Sequence, residues 1–202
     1  MQLTVREPSD QLLRKECTPI PKRDLRKTSV QEEIEAMIDY VYGTNNKGKK
    51  RKSNQSMTVG LSANQVGLSK RISIVDMAIG KRGYSDIQVL INPEIIWAST
   101  SMVEHGEGCV NLPSIWGYVM RSKRIKVKAL DRSGNELLLT LVGWPAILLQ
   151  HEIDHLNGKL FIDKLIDPKK AHLVEKNDYR QYKTEKKNWT KYIDVSKYIK
   201  PE

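Results

Sequence analysis

The segment His151-Glu152-Ile153-Asp154-His155 restricts the fold more than any other part of this chain. Residues four apart on a helix project from one face, one turn apart, so a helix here sets two imidazoles side by side. The preceding run favours such a helix. Gly143 and Pro145 stand at its start, where proline is well placed because its missing N–H would be unpaired anyway. Ala146, Ile147, Leu148 and Leu149 follow, then Gln150 and the histidines, and Gly158 stands where a helix C-cap would be. Ile147, His151 and His155 share one i, i+4 row. A largely apolar helix with histidines on that row must be buried by the rest of the chain while it offers ligands to an interior site.

Two imidazoles at this spacing can close on one metal ion, with Glu152 beside them to handle protons, as in metal-dependent hydrolases. A catalytic site of this kind needs a third protein ligand and a position left open for water. The candidates are Cys17, Cys109, His105, His172 and the carboxylates. Cys109 fits best, because Gly108 before it permits a close backbone approach and a thiolate suits Fe(II), Zn(II) or Ni(II). Cys17 reads as a small buried hydrophobe. His105 is expected at a surface or supporting position, and His172 in a tail without chemistry.

Elsewhere the pattern is of alternating short elements. Ser29-Val30-Gln31-Glu32 reads as a capping box, and Val30, Ile34, Met37, Ile38, Val41 and Tyr42 mark one apolar helix face ended by Gly43. Residues 71–75 and 88–91 read as strands, the second stopped by Asn92-Pro93. Residues 124–131 and 136–141 form a hairpin about the turn Arg132-Ser133-Gly134-Asn135. The expected class is α+β, with short antiparallel strands packed around a central metal-binding helix and a further helix N-terminal to them.

Charge divides the chain. Of the net +10, residues 44–57 contribute five basic groups and no acid, and residues 164–202 carry eleven Lys/Arg against six Asp/Glu. The expected organisation is a catalytic domain over 1–165, interrupted by a mobile basic insertion at 44–57, and a basic extension over 166–202. That extension is either a surface-docked helix with a loose end or mostly extended. Two cysteines fit a reducing cytosol, and no run approaches the ~18 apolar residues of a membrane span. A cytoplasmic location away from membranes is expected.

Three ordered motifs carry a family resemblance. Thr58-Val59-Gly60-Leu61-Ser62-Ala63-Asn64-Gln65, then Glu107-Gly108-Cys109-Val110-Asn111, then Gln150-His151-Glu152-Ile153-Asp154-His155 resemble the G-x-G-L-A-A-x-Q, E-G-C-L-S and Q-H-E-x-D-H motifs of peptide deformylases. Pro8-Ser9-Asp10 with Leu13-Arg14, and residues 156–163, are similar to that family's flanking segments, so the resemblance spans about residues 3–165. Thr58, Ser62 and Asn111 depart from the pattern, and none is a metal ligand or the proton carrier.

The resemblance implies hydrolysis of the N-terminal formamide of N-formylmethionyl nascent peptides, releasing formate. Cys109, His151 and His155 would hold one divalent metal, Fe(II) natively with Ni, Co or Zn as substitutes. Glu152 would be general base and then acid, while the Gln65 amide and the Val110 backbone N–H would stabilise the oxyanion. Gly60 and Gly108 would lie against the peptide, with Val59, Ile147 and Leu148 around the methionine side chain. Trp116 and Tyr118 either line the groove or simply pack. Arg121 would pair with Glu107 and brace the ligand loop, with Gln150 and Asp154 orienting ligands. A monomer is expected, with possible ribosome contact through the basic tail. Two rivals are a zincin-like endopeptidase, drawing its third ligand from Asp163 or Glu175, and a ribosome- or RNA-binding protein whose activity has decayed.

Overall fold

The computed structural model describes residues 2–42, 59–78 and 86–199. The basic insertion at 44–57, with Gly43 and Thr58, lies outside the described residues. In chain order the regular elements are α1 (Thr28–Tyr42), β1 (Gly60–Ser62), β2 (Ile72–Asp76), β3 (Ile87–Ala98), β4 (Met102–Cys109), β5 (Leu112–Ser122), β6 (Arg124–Leu130), β7 (Glu136–Val142), α2 (Trp144–Leu156), β8 (Ala171–Leu173), α3 (Tyr179–Glu185) and β9 (Tyr192–Ile193). Short 3-10 turns join several of them. The class is α+β, with a five-stranded sheet in the order β1-β2-β3-β6-β7 and a four-stranded sheet in the order β4-β5-β8-β9. Every pairing within the two sheets is antiparallel.

Strand β2 shows why the larger sheet can be covered on both faces. All five of its residues are buried, and successive side chains leave a strand on opposite sides. Ile72 and Ile74 join Val30, Ile34 and Met37 of α1, whereas Val75 joins Leu90, Val127, Ala146 and Leu149 in the cluster that packs α2. The two helices therefore sandwich the sheet. The second sheet packs Leu112 and Val119 against Leu160, Phe161 and Ile162, the residues that follow α2.

Three elements differ from the sequence expectations. Helix α1 starts at Thr28, so Ser29 lies inside its first turn instead of capping it. The backbone N–H groups of Val30 and Gln31 reach the Lys27 carbonyl at 3.0 and 3.1 Å, so a preceding turn feeds the helix. Strand β3 runs through Asn92-Pro93, where the pairing with β6 shifts register between Ile91 and Glu94. Asn92 adopts φ 51°, which asparagine tolerates, and its side chain bonds both the N–H and the carbonyl of Ile20 at 2.8 Å. The turn signal is a β-bulge. Finally, the tail holds both a short helix and strands: β8 extends the second sheet from β5, β9 pairs with β8, and Tyr182, Trp189 and Val195 are buried.

Candidate active site

Helix α2 carries both histidines and Glu152, and its surroundings make a buried, polar-sided helix tolerable. Pro145 lies in its first turn, and the chain leaves its end through Gly158 at φ 70°. Its last carbonyls, which lack intrahelical partners, find them in the N-terminal segment and in the 3-10 turn that follows β1. The Cys17 N–H donates to the Leu156 carbonyl at 2.8 Å, and Asn64 Nδ2 donates to that of His155 at 2.6 Å. The helix is thus locked at the end where the histidines project.

Cys109 ends β4, and the hairpin with β5 brings it over α2. The ligating atoms of Cys109, His151 and His155 all lie within 4.8 Å of one another. His155 Nε2 stands 3.3 Å from the Cys109 Sγ and 3.2 Å from His151 Nε2. Two imidazole nitrogens and a sulfur aimed at one point form a soft, electron-rich donor set that suits a divalent transition ion. No other such group occurs among the described residues. Asp163 instead receives Arg14 Nη1 at 2.5 Å and the Leu160 N–H at 2.7 Å, and Glu175 is exposed. The ligands expected for an endopeptidase are therefore not assembled.

The donors are held from behind. His151 Nδ1 contacts Glu107 Oε2 at 2.8 Å, leaving Nε2 to face the centre, and its ring stacks on Phe161 with centroids 6.2 Å apart. Glu107 is gripped by both arms of Arg121, at 2.8 and 2.9 Å, and Arg121 also bonds Asp154 of α2. Burial would raise the Glu107 pKa, but the hydrogen bonds of Arg121 and His151 win and hold it well below the usual carboxylate range. Gln150 does something different from orienting a ligand. It exchanges hydrogen bonds with the Ser122 backbone at 3.1 and 2.9 Å, fastening α2 to β5.

Glu152 is buried, and burial pushes its pKa up against the opposing pull of His151 and of the Ser62 hydroxyl. That hydroxyl donates to Glu152 Oε2 at 2.7 Å. Gly60 leaves room for the carboxylate, since a Cβ there would lie 2.9 Å from Glu152 Cδ. Gln65 Oε1 accepts the Ser62 N–H at 2.7 Å, which turns the amide nitrogen toward Cys109 Sγ, 3.4 Å away. Asn111 accepts from that nitrogen at 3.0 Å and donates to the Arg6 carbonyl at 2.7 Å, tying the N-terminal segment to the ligand loop. Two of the three departures from the family pattern, Ser62 and Asn111, thus sit inside this network.

These residues open into a cleft of about 480 Å3. Val59, Gly60, Gln65, Gly108, Cys109, Val110, Ile147, Leu148, His151 and Glu152 line it, as does Trp116. His155 lies beneath, fully buried. Tyr118 packs instead, its ring meeting that of His172. His172 is buried and contacts the Tyr182 hydroxyl at 3.0 Å. His105 is not a surface residue: half-buried, it lines the cleft with its ring edge-on to Trp144 at 5.5 Å. Trp144, Tyr179 and Lys186 also line the cleft, and no motif signals them.

The chain matches a family described as "Polypeptide deformylase" over residues 3–171. It is 37% identical to a peptide deformylase of Halothermothrix orenii over 164 residues, 81% of this chain and 94% of the other. A peptide deformylase of Thermodesulfovibrio yellowstonii is 36% identical over 184 residues, 91% and 98% of the two chains. Among solved structures, the Met-Ala-Ser-bound class I type b peptide deformylase of Acinetobacter baumannii superposes with a TM-score of 0.69 at 30% identity. That match covers 82% of this chain and 99% of the other.

Proposed function

The chain belongs to the polypeptide deformylase family, and from that premise we propose how its residues divide the work. The enzyme is a metal-dependent hydrolase that removes the N-terminal formyl group from formyl-Met of newly synthesised polypeptides, releasing formate. The observation that carries the assignment of roles is the convergence of Cys109, His151 and His155 within 4.8 Å, with Glu152 between the histidines in sequence and at the cleft wall.

Cys109, His151 and His155 hold the ion, which is Fe(II) in the native enzyme and exchangeable for Ni, Co or Zn, since this donor set accepts any of them. When bound, a divalent ion there polarises a carbonyl oxygen and brings the acidity of water near neutrality. Glu152 takes the proton of the attacking water and returns it to the leaving nitrogen. Its raised pKa suits both directions of that transfer. Ser62 fixes one carboxylate oxygen and so aims the other. As charge develops on the formyl oxygen, the Gln65 amide and the Val110 N–H stabilise it, and a donor so fixed contributes about 3 kcal/mol. Val59, Ile147 and Leu148 receive the methionine side chain, while Gly60 and Gly108 let the peptide backbone approach.

Formate release from a formyl-Met tripeptide, with enzyme prepared without oxygen or loaded with Ni(II), tests this reading. The parent protein turns over, Glu152→Ala loses at least about 10^2-fold, and a peptide lacking the formyl group is left intact. Cleavage of internal peptide bonds would instead favour an endopeptidase.

The enzyme acts as a cytoplasmic monomer, and the positive tail helps it reach ribosomes that carry nascent chains. Lys176, Lys187 and Lys197 are exposed and can meet phosphates. Replacing these three with Glu is expected to weaken ribosome binding and flatten its dependence on salt. An unchanged affinity and salt slope rejects a role for the tail.

A further inference from the structure

The cleft has a wall that none of the three motifs supplies. Tyr179, at the start of α3, and Lys186, just past its end, line the same space as Cys109, His151 and Glu152. Tyr179 is held there by a cluster of aromatic rings, and Lys186 follows on the same short segment. Trp116 of β5 meets the Tyr179 and Tyr182 rings with centroids 5.8 and 5.6 Å apart. Tyr182 is buried against Trp189 at 5.2 Å, and the Trp189 indole N–H donates to the Leu173 carbonyl at 2.9 Å. Trp116 in turn fills the space over Gly108, where a Cβ would lie 2.7 Å from the indole. Contact therefore runs from the C-terminal segment through Trp116 to the residue before the ligand Cys109.

The charges around the cleft are unbalanced on this side. Glu107 is buried and held by Arg121 and His151, and Glu152 is buried and bonded by Ser62. Lys186 is exposed at the rim, and its charge is near enough to His105 to oppose protonation of that imidazole. Burial lowers the His105 pKa as well, which disfavours a second positive charge beside Lys186, and an imidazole has no negative form that could offset the ammonium there. The neighbouring walls are the rings of Trp116, Trp144 and Tyr179, which limit screening by water and focus the field of the ammonium into the groove.

We propose that the C-terminal segment completes the substrate groove and that Lys186 reads charge on the formylated peptide, favouring an acidic side chain in the residues just after formyl-Met. This rests on the deformylase reading above and adds a specificity that the motifs do not encode. The group acts at a distance from the formyl carbon, so it changes binding and leaves the bond-breaking step alone.

The test uses C-terminally amidated formyl-Met peptides bearing Asp, Asn or Lys at the second or third position, so that no free carboxylate competes. The full-length enzyme is compared with Lys186→Ala and Lys186→Glu. The parent is expected to favour Asp over Asn by about three- to five-fold in kcat/KM, the size of an exposed ion pair. The difference should lie in KM and fade as ionic strength rises. Lys186→Ala should lose the preference, and Lys186→Glu should reverse it in favour of Lys. Equal turnover of Asp, Asn and Lys peptides by the parent, or an Asp preference that survives in Lys186→Glu, overturns the assignment while leaving the deformylase reading intact. No formate from any peptide overturns both.

Discussion

Glu152 suits its proposed role because of two neighbours and its burial. Gly60 gives it space, Ser62 holds one oxygen, and burial keeps its proton affinity above that of an ordinary carboxylate. The glycine was legible from the motif, but as a place where substrate backbone approaches; the structure adds a second reason, the carboxylate packed against it. Gly60→Ala should therefore displace Glu152 without touching a ligand. The expected outcome is a fall of about 10^2-fold in kcat, the scale of a 1 Å misplacement, with metal content unchanged in elemental analysis. Loss of metal together with activity would show that the methyl group disturbs the ligands instead. The particular partners of Ser62 and Asn111 were not legible, because each is met only when the fold brings residues 62 and 152, or 6, 65 and 111, together.

Helix α2 was readable because two independent patterns agree on it: an i, i+4 row of histidines, and start and stop residues at the right distance. The hairpin of β6 and β7 was readable from the alternation of β6 and the turn before Glu136, although Leu137-Leu138-Leu139 in β7 do not alternate. Strands β4 and β5 were not. Gly106, Gly108, Pro113 and Gly117 break their alternation, and their pairing depends on the bulge between Gly108 and Cys109. The tail was ambiguous because its apolar residues follow no local period, and Val174, Tyr182 and Trp189 gather with Trp116 only in the folded chain. Trp189→Ala removes the centre of that cluster. A loss of about 3–5 kcal/mol in denaturant unfolding is expected, as for other buried tryptophans. A weaker KM should accompany it, because Tyr179 and Lys186 lose their support. An unchanged unfolding midpoint would mean that the tail does not dock as described.

The molecule keeps its stability and its chemistry in different places. Among the described residues, the four apolar clusters include only Cys109 of the three proposed ligands, and that at the margin of one cluster. Chelation should therefore abolish formate release while far-UV circular dichroism persists. The melting temperature should fall by an amount set by ion affinity, roughly 4 kcal/mol of stabilisation at a thousandfold excess over Kd. Global unfolding on chelation would contradict this separation. The most direct test of the central claim is to titrate metal-free enzyme with Co(II) under anaerobic conditions, recording thiolate-to-cobalt absorbance and formate release in the same samples. The three-ligand site predicts that both signals rise together and saturate at a single equivalent, and that Cys109→Ser lacks the absorbance. Full activity before any Co(II) is added, or activity that saturates without the thiolate band, would contradict the account.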